Sequence, residues 1–366
     1  MTMGADKIQV LIVDDSASAR AMLRHMIETD PQIVVQNTAS DAFIAVDRMK
    51  RQLPDVILLD LEMPGMSGLT FIEKIMAQKP IPIVVCSSHA QKGSDAALSA
   101  LRAGALEAIL KPAITDQSQI ALATRDITHA IRAAFASSKS AKASMMYREE
   151  SRDGKNSPDV ILPKPGPNTA APRTEPIVCI GASTGGTVAL EKLLTALPAD
   201  CPPILIVQHM PPDFTAGFAR RLNSVCTIEV VEATNQLRLS RGTAVIAKGG
   251  SHLLLRRMTN MYTTSVVDGP YVQRHNPSVD VLFRSAANAA CQNAMGILLT
   301  GMGDDGALGL LEMRQTGANT IAQDEASSVV FGMPRVAIEK GAAGRVLPLS
   351  QMAAAIMQFD RQYRGQ

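Results

Sequence analysis

Short apolar runs rich in β-branched residues alternate with amphipathic stretches along most of the chain, so strands and helices are expected to take turns. Ile8 to Val13, Ile33 to Val35, Val56 to Leu59, Ile81 to Cys86 and Leu106 to Leu110 read as strands. Between and after them, Ala17 to Thr29, Asp41 to Arg51, Leu69 to Gln78, Ser94 to Arg102 and Gln119 to Phe135 carry helical spacing. Strict alternation of this kind predicts an α/β domain, a five-stranded parallel (βα)5 sheet covered on both faces.

The pattern resumes after a gap. Ile177 to Ile180 is an apolar run that ends in Gly181-Ala182-Ser183-Thr184-Gly185-Gly186, and a helix with Leu190, Leu193, Leu194 and Leu197 on one face follows at once. Ile204 to Gln208, Ile228 to Val231, Thr243 to Ala247, Met295 to Thr300 and Thr320 to Ala322 are further strands. Phe214 to Leu222, Ser278 to Asn293, Val329 to Lys340 and Ser350 to Tyr363 have helical spacing, with another helix from Ala307 to Gln315. Leu253 to Leu255 and Thr263 to Val267 form a short antiparallel excursion. The second half is therefore expected to be a doubly wound, mostly parallel α/β domain.

Between the halves the helical pattern decays into Ser, Lys, Arg and Ala and then into Pro158, Pro163, Pro165, Pro167 and Pro172. That composition favours an extended tether. The expected division is a domain at 1–136, a flexible linker at 137–175 and a second domain at 176–366. Val160-Ile161-Leu162 is a short apolar patch inside the tether, read as linker.

Composition narrows the function classes. A net charge of +2 and the absence of a basic helix pair argue against nucleic acid as partner. No apolar run reaches the length of a membrane span, so no direct membrane insertion is expected. The five cysteines, at 86, 179, 201, 226 and 291, are scattered and never spaced C-x-x-C, which suits reduced thiols and a cytoplasmic protein.

Candidate chemistry falls at strand ends, where parallel sheets bind their ligands. In the first domain Asp14 and Asp15 follow the first strand, Asp60 ends the third, Ser87 follows the fourth and Lys111 follows the fifth. Three carboxylates brought to one spot repel unless a hard divalent cation and a lysine compensate, so a Mg²⁺ site is expected. In the second domain Ser183, His209 and the pair Asp304/Asp305 each follow a separate strand. Serine needs an imidazole to accept its proton, and the imidazole needs a carboxylate to fix its tautomer. Spacing does not separate Asp304 from Asp305, and either could instead cap the following helix. His252 and His275 are rival bases in less suitable positions. The glycine-rich turns also suit a dinucleotide-binding protein, and a non-catalytic receptor-binding scaffold is a third reading.

Leu11-Ile12-Val13-Asp14-Asp15-Ser16, Leu58 to Gly68, Ser87-Ser88 and Lys111-Pro112 resemble the receiver domain of bacterial response regulators. The resemblance implies that Asp60 takes a phosphoryl group from a chemotaxis-type histidine kinase. It also implies Mg²⁺ held by Asp14, Asp15, Asp60 and the backbone carbonyl of Glu62, with Lys111 on the phosphoryl oxygens and Ser87 as the switch. Many receivers have an aromatic where this chain has Ala108.

The segments Gly181 to Gly186, Gln208-His209-Met210-Pro211, Pro277 to Phe283, Leu299 to Gly306 and Val330 to Pro334 resemble the chemotaxis protein-glutamate methylesterase/protein-glutamine glutaminase family. Lys248 departs from the family pattern, standing where proline is usual. The resemblance implies Ser183 as nucleophile, His209 as base and then acid, and Asp305 as orienting acid. Thr184 and the backbone N–H of Met302 would support the site or the oxyanion. It further implies methyl-accepting chemoreceptors as substrate, no cofactor in the catalytic domain, and a receiver that restrains the esterase until phosphorylated.

Overall fold

The alternation of apolar and amphipathic segments folds into two units, residues 1–151 and 152–366. They are seen in a computed structural model that describes residues 7–87, 91–112, 117–138, 156–166, 174–259 and 261–364. In the first unit β1 (Ile8–Val13), α1 (Ala17–Ile27), β2 (Ile33–Ala39), α2 (Ala42–Arg51) and β3 (Val56–Leu59) open the alternation. Then come α3 (Gly68–Gln78), β4 (Ile83–Ser87), α4 (Gln91–Ala103), β5 (Glu107–Leu110) and α5 (Gln117–Ser137). The strands lie in the order β2-β1-β3-β4-β5, every pair parallel. Ile8, Val10 and Ile12 share one face of β1 and pack with Leu23, Ile27, Ile131 and Phe135 of α1 and α5, as a period of two dictates. Helices α1, α2 and α3 start where the side chains of Ser16, Asp41 and Ser67 accept their first free N–H groups.

The second unit runs β6 (Ile177–Ala182), α6 (Gly186–Thr195), β7 (Ile204–Gln208), α7 (Pro212–Val225), β8 (Glu229–Glu232) and β9 (Thr243–Ile246). The hairpin β10 (His252–Met258) and β11 (Met261–Val267) and helix α8 (Val279–Ala289) follow. The unit closes with β12 (Ala294–Leu298), α9 (Ala307–Gln315), β13 (Asn319–Gln323), α10 (Met333–Glu339), β14 (Arg345–Leu347) and α11 (Leu349–Arg364). Seven strands form one sheet in the order β14-β13-β12-β6-β7-β9-β8, again with every pair parallel. The antiparallel β10–β11 pair stands apart as its own sheet. Ile177, Cys179, Leu205, Val207 and Val245 pack with Leu282, Phe283, Ala286, Leu310 and Met313 of α8 and α9.

Several details differ from the sequence reading; the helix expected from Val329, for one, begins at Met333. β14 was not expected, because three residues on a sheet edge, two of them exposed, carry no period. The helix expected from Ser278 to Asn293 stops at Ala289, and Cys291 takes a left-handed φ of 50° that no helix continues. Residues 156–166, placed in the linker by their prolines, pack on the second unit. Leu162 is buried with Leu254, Val272 and Val281. The guanidinium of Arg284, itself fully buried in α8, donates to Asp159 Oδ1 at 2.6 Å and to the Leu162 carbonyl at 3.2 Å. Its other face grips the Glu312 carboxylate of α9 at 2.6 and 2.8 Å.

The two partners of Arg284 should weigh very differently. Arg284→Ala strands the buried Glu312 carboxylate and is expected to cost about 3–5 kcal/mol. Asp159→Ala removes an exposed partner and is expected to cost less than about 1 kcal/mol. Urea unfolding of both variants checks this, and equal losses would contradict it.

Candidate functional sites

In each sheet one pair of neighbouring strands sends its connections in opposite directions, and there the loops beyond the carboxyl ends part to leave a crevice. In the first unit that place lies between β1 and β3, so Asp14 and Asp15 stand beside Asp60. Ligand oxygens of these three acids all lie within 4.8 Å of one another. Lys111, just past β5, lies 2.7 Å from Asp14 Oδ2 and 2.8 Å from Asp60 Oδ2. Burial disfavours its charge, but the hydrogen bonds and attraction of Asp14 and Asp60 prevail and raise its pKa. Burial in turn pushes the Asp60 carboxyl up, against the pull of Lys111. Three carboxylates against one ammonium leave the cluster negative, which fits a hard divalent cation with oxygen ligands. Glu62 donates its N–H to Asp60 Oδ1 at 3.2 Å. Arg20 ties the carbonyls of Asp14 and Asp15 at 2.7 and 3.0 Å, a brace with no sequence signal beyond a basic residue in the next helix. Ser87 ends β4, but its side chain and Ser88 lie outside the described residues. Ala108 pairs with Val85 inside the sheet.

In the second unit the reversal lies between β6 and β12. Past the end of β6 the chain turns through Ser183 to Gly186, closed by the Gly186 N–H on the Ser183 carbonyl at 2.6 Å. Gly185 occupies the third position of that turn at φ 78° and ψ −5°, the left-handed conformation a type II turn requires. A side chain there would also strike Val329, 2.6 Å from its Cβ. The Ser183 N–H donates to the Thr300 carbonyl at 3.0 Å, continuing the β6–β12 pairing past the sheet edge. Gly301 must be glycine, since a Cβ would lie 2.3 Å from Met333 Sδ and 2.7 Å from Ser183 Cβ. Both Ser183 and Thr184 are buried, as is Met302.

Ala182 and Gln208 are register partners, so Ser183 and His209 leave the sheet side by side. The His209 N–H donates to the Ala182 carbonyl at 3.1 Å. Its ring Nε2 lies 2.8 Å from Asp305 Oδ2, which places the proton on Nε2. Nδ1 is buried and makes no hydrogen bond among the described residues, so its lone pair is available. Spacing left Asp304 and Asp305 equivalent, and the structure separates them. Asp305 is buried and meets His209, whereas Asp304 is partly exposed and its carbonyl accepts the Ala307 N–H at 3.1 Å.

The Asp305 carboxylate also accepts the Ser278 hydroxyl at 2.8 Å and the N–H groups of Val279 and Asp280 at 2.8 and 3.0 Å. It thus sits on the N-terminus of α8, where free N–H groups and the helix dipole favour an anion. Asp280 returns the arrangement by accepting the Gly309 N–H in the first turn of α9 at 2.7 Å. Each helix is capped by a carboxyl group carried on the segment that starts the other. Ser278 and Asp280 were not singled out from sequence; Pro277-Ser278-Val279-Asp280 precedes a helix as a capping segment does, but nothing local names its target.

Neither rival histidine takes the place of His209. His252 is buried with both nitrogens engaged, Nε2 with the Pro270 carbonyl at 2.9 Å and Nδ1 accepting the Ser278 N–H at 3.2 Å. Burial lowers its pKa, and it braces the segment that presents Ser278. His275 stacks flat on His209, ring centroids 3.6 Å apart and planes 9° off parallel. Lys248 is exposed in the loop after β9.

A parallel-sheet unit with an acidic strand-end cluster, followed by one that brings serine, histidine and aspartate to a single edge, is the class of receiver-linked hydrolases. Known proteins agree. A response regulator receiver domain family matches residues 10–123 and a CheB methylesterase family matches residues 178–356. A protein-glutamate methylesterase/protein-glutamine glutaminase of Cereibacter sphaeroides is 54% identical, covering 98% of this chain and 97% of its own length. One from Rhizobium johnstonii is 51% identical, covering 98% of this chain and all of its own. The crystal structure of the Thermotoga maritima CheB methylesterase catalytic domain, 35% identical, aligns at a TM-score of 0.50 over 51% of this chain and 99% of that one. The chain belongs to the protein-glutamate methylesterase/protein-glutamine glutaminase family. The dinucleotide-binding and scaffold readings are not favoured.

The buried Asp280 gives a pH test. Burial, and then the negative field of Asp305, Asp304 and Glu312, hold its carboxyl well above the usual range near 3.8 against the pull of the Gly309 N–H. The folded chain therefore keeps a proton that the unfolded chain has lost, and stability falls as pH rises through that interval. Asp280→Asn has no such proton, so its melting temperature should gain on the parent as pH rises through that interval. The gain should be present at about pH 8 and absent at about pH 4; a pH-independent difference would contradict it.

Proposed function

We propose that the second unit hydrolyses glutamate methyl esters on the cytoplasmic helices of chemoreceptors, releasing methanol, and deamidates selected glutamines there. The observation that carries this reading is the His209 ring, fixed by Asp305 at Nε2 and unpartnered at a buried Nδ1, beside Ser183 in the strand register. Ser183 Oγ attacks the ester carbonyl carbon and passes its proton to His209 Nδ1. The resulting imidazolium faces the Asp305 carboxylate, which stabilises it without taking the proton. The tetrahedral oxyanion is held by the Met302 N–H, with Thr184 supporting the turn. Collapse expels methoxide, which takes the proton from His209 and leaves as methanol. Water, deprotonated by His209, then attacks the acyl-enzyme and restores Ser183 and a free glutamate carboxylate. A glutamine side chain follows the same course with ammonia as the leaving group.

The first unit is the control. Asp60 accepts a phosphoryl group from a chemotaxis-type histidine kinase; Asp14, Asp15, Asp60 and the Glu62 carbonyl would hold Mg²⁺, which would supply charge neutralisation for phosphoryl transfer. Lys111 pairs with the phosphoryl oxygens and Ser87 hydrogen-bonds one of them. A cytoplasmic setting suits five cysteines that form no disulfide among the described residues, with the Cys201 thiol pushed up to about 11 by burial. No helix among the described residues is long and apolar enough to cross a membrane.

Ser183→Ala is expected to abolish methanol release from methylated receptor, a loss of at least about 10³-fold; release at the parental rate would refute the assignment. Asp60→Asn is expected to remove the stimulation of methanol release by a small phosphodonor with Mg²⁺. Stimulation that persists in this variant would move the phosphorylation site elsewhere.

A further inference from the structure

Gln208 is nearly fully buried at the end of β7, between the two residues that carry the proposed chemistry. Its carboxamide nitrogen donates to the Ser183 carbonyl at 3.0 Å and to the His209 carbonyl at 3.1 Å. A primary amide has two N–H donors, and both are used here on the backbones of the nucleophile and the base. Turned the other way, the amide would set its oxygen against two carbonyl oxygens, so the partners fix its orientation. Room for the side chain is built in: a Cβ on Gly186 would lie 2.1 Å from Gln208 Oε1.

From this geometry we infer that Gln208 is a positioning residue, which clamps the Ser183 turn to the His209 backbone and so sets the distance from Ser183 Oγ to His209 Nδ1. The inference rests on the proposed roles of Ser183 and His209. No other side chain among the described hydrogen bonds joins these two backbones. The strands alone do not fix the spacing. The β6–β7 pairing ends at Ala182 and Gln208, and beyond it only the His209 N–H to Ala182 carbonyl bond continues the ladder. The Ser183 carbonyl would keep its turn bond from Gly186 without Gln208, so the turn itself survives while its tie to β7 is cut. The near-isosteric alternatives do not serve. Glutamate accepts but does not donate when ionised, asparagine is a methylene too short to span both carbonyls, and methionine fills the volume without donors.

The test uses the full-length protein with a small phosphodonor and Mg²⁺. Methanol release from methylated receptor gives kcat and KM, and the rate of Ser183 labelling by an alkyl fluorophosphonate reports the nucleophile directly. Gln208→Met is expected to lower kcat and the labelling rate together by about 10- to 100-fold, with KM within about twofold, as for a reacting pair displaced by a fraction of an ångström. Gln208→Asn carries the test if the methionine variant does not fold, and its labelling rate should also fall. A folded variant with parental kcat and labelling, or a loss confined to KM, would overturn the inference. The parent and Ser183→Ala run alongside. If the parent releases no methanol or Ser183→Ala still does, the functional reading itself fails. If both behave as expected and the Gln208 variants match the parent, only the positioning role fails.

Discussion

The second unit depends on one buried carboxylate. Asp305 receives the His209 ring, the Ser278 hydroxyl and two backbone N–H groups of α8. Taking a carboxylate out of water costs several kcal/mol unless its oxygens are fully engaged. These donors engage them, and the same contacts weld the loop after β12 to the start of α8. The His209 ring is thereby referenced to a helix terminus, a part of the fold that cannot shift without disturbing the core packing of Phe283, Leu282 and Leu310.

The two units solve one electrostatic problem in opposite ways. Both place acids at a strand-order reversal. The first gathers three and leaves them short of positive charge, which makes the cluster receptive to a cation and to chemistry that needs one. The second buries Asp305 among neutral donors and keeps Asp280 close by as a carboxyl that burial disfavours charging. One is an acidic cluster suited to a cation; the other holds one engaged carboxylate with a fixed histidine partner.

Much of this was legible in the sequence, because residues that follow strands in a parallel sheet must share an edge. Asp14, Asp60, Lys111, Ser183, His209 and the Asp304/Asp305 pair were each found by that rule. It could not separate Asp305 from Asp304, since adjacent loop residues differ only in which way the turn through Gly303 and Gly306 aims them. Ser278, His252 and Gln208 act through hydrogen bonds spanning 25 to 27 residues, and no local pattern encodes such pairs. The packed segment at 156–166 was hidden for another reason. Buried Leu162, the Asp159 bond to Arg284 and bonds from Arg284 and Asn288 to its backbone hold it, and composition averaged over a proline-rich stretch dilutes the signal of these few residues.

The separation of Asp305 from His209 by 96 residues also has a bearing on how the protein is made. Domains fold largely as they leave the ribosome, the N-terminal one first. The first unit therefore exists before any of the second is complete. Ser183 and His209 emerge long before the strand and loop that deliver Asp305, and a histidine without its carboxylate partner lacks its fixed tautomer. A nascent chain thus completes its first unit before the His209–Asp305 contact of the second can form.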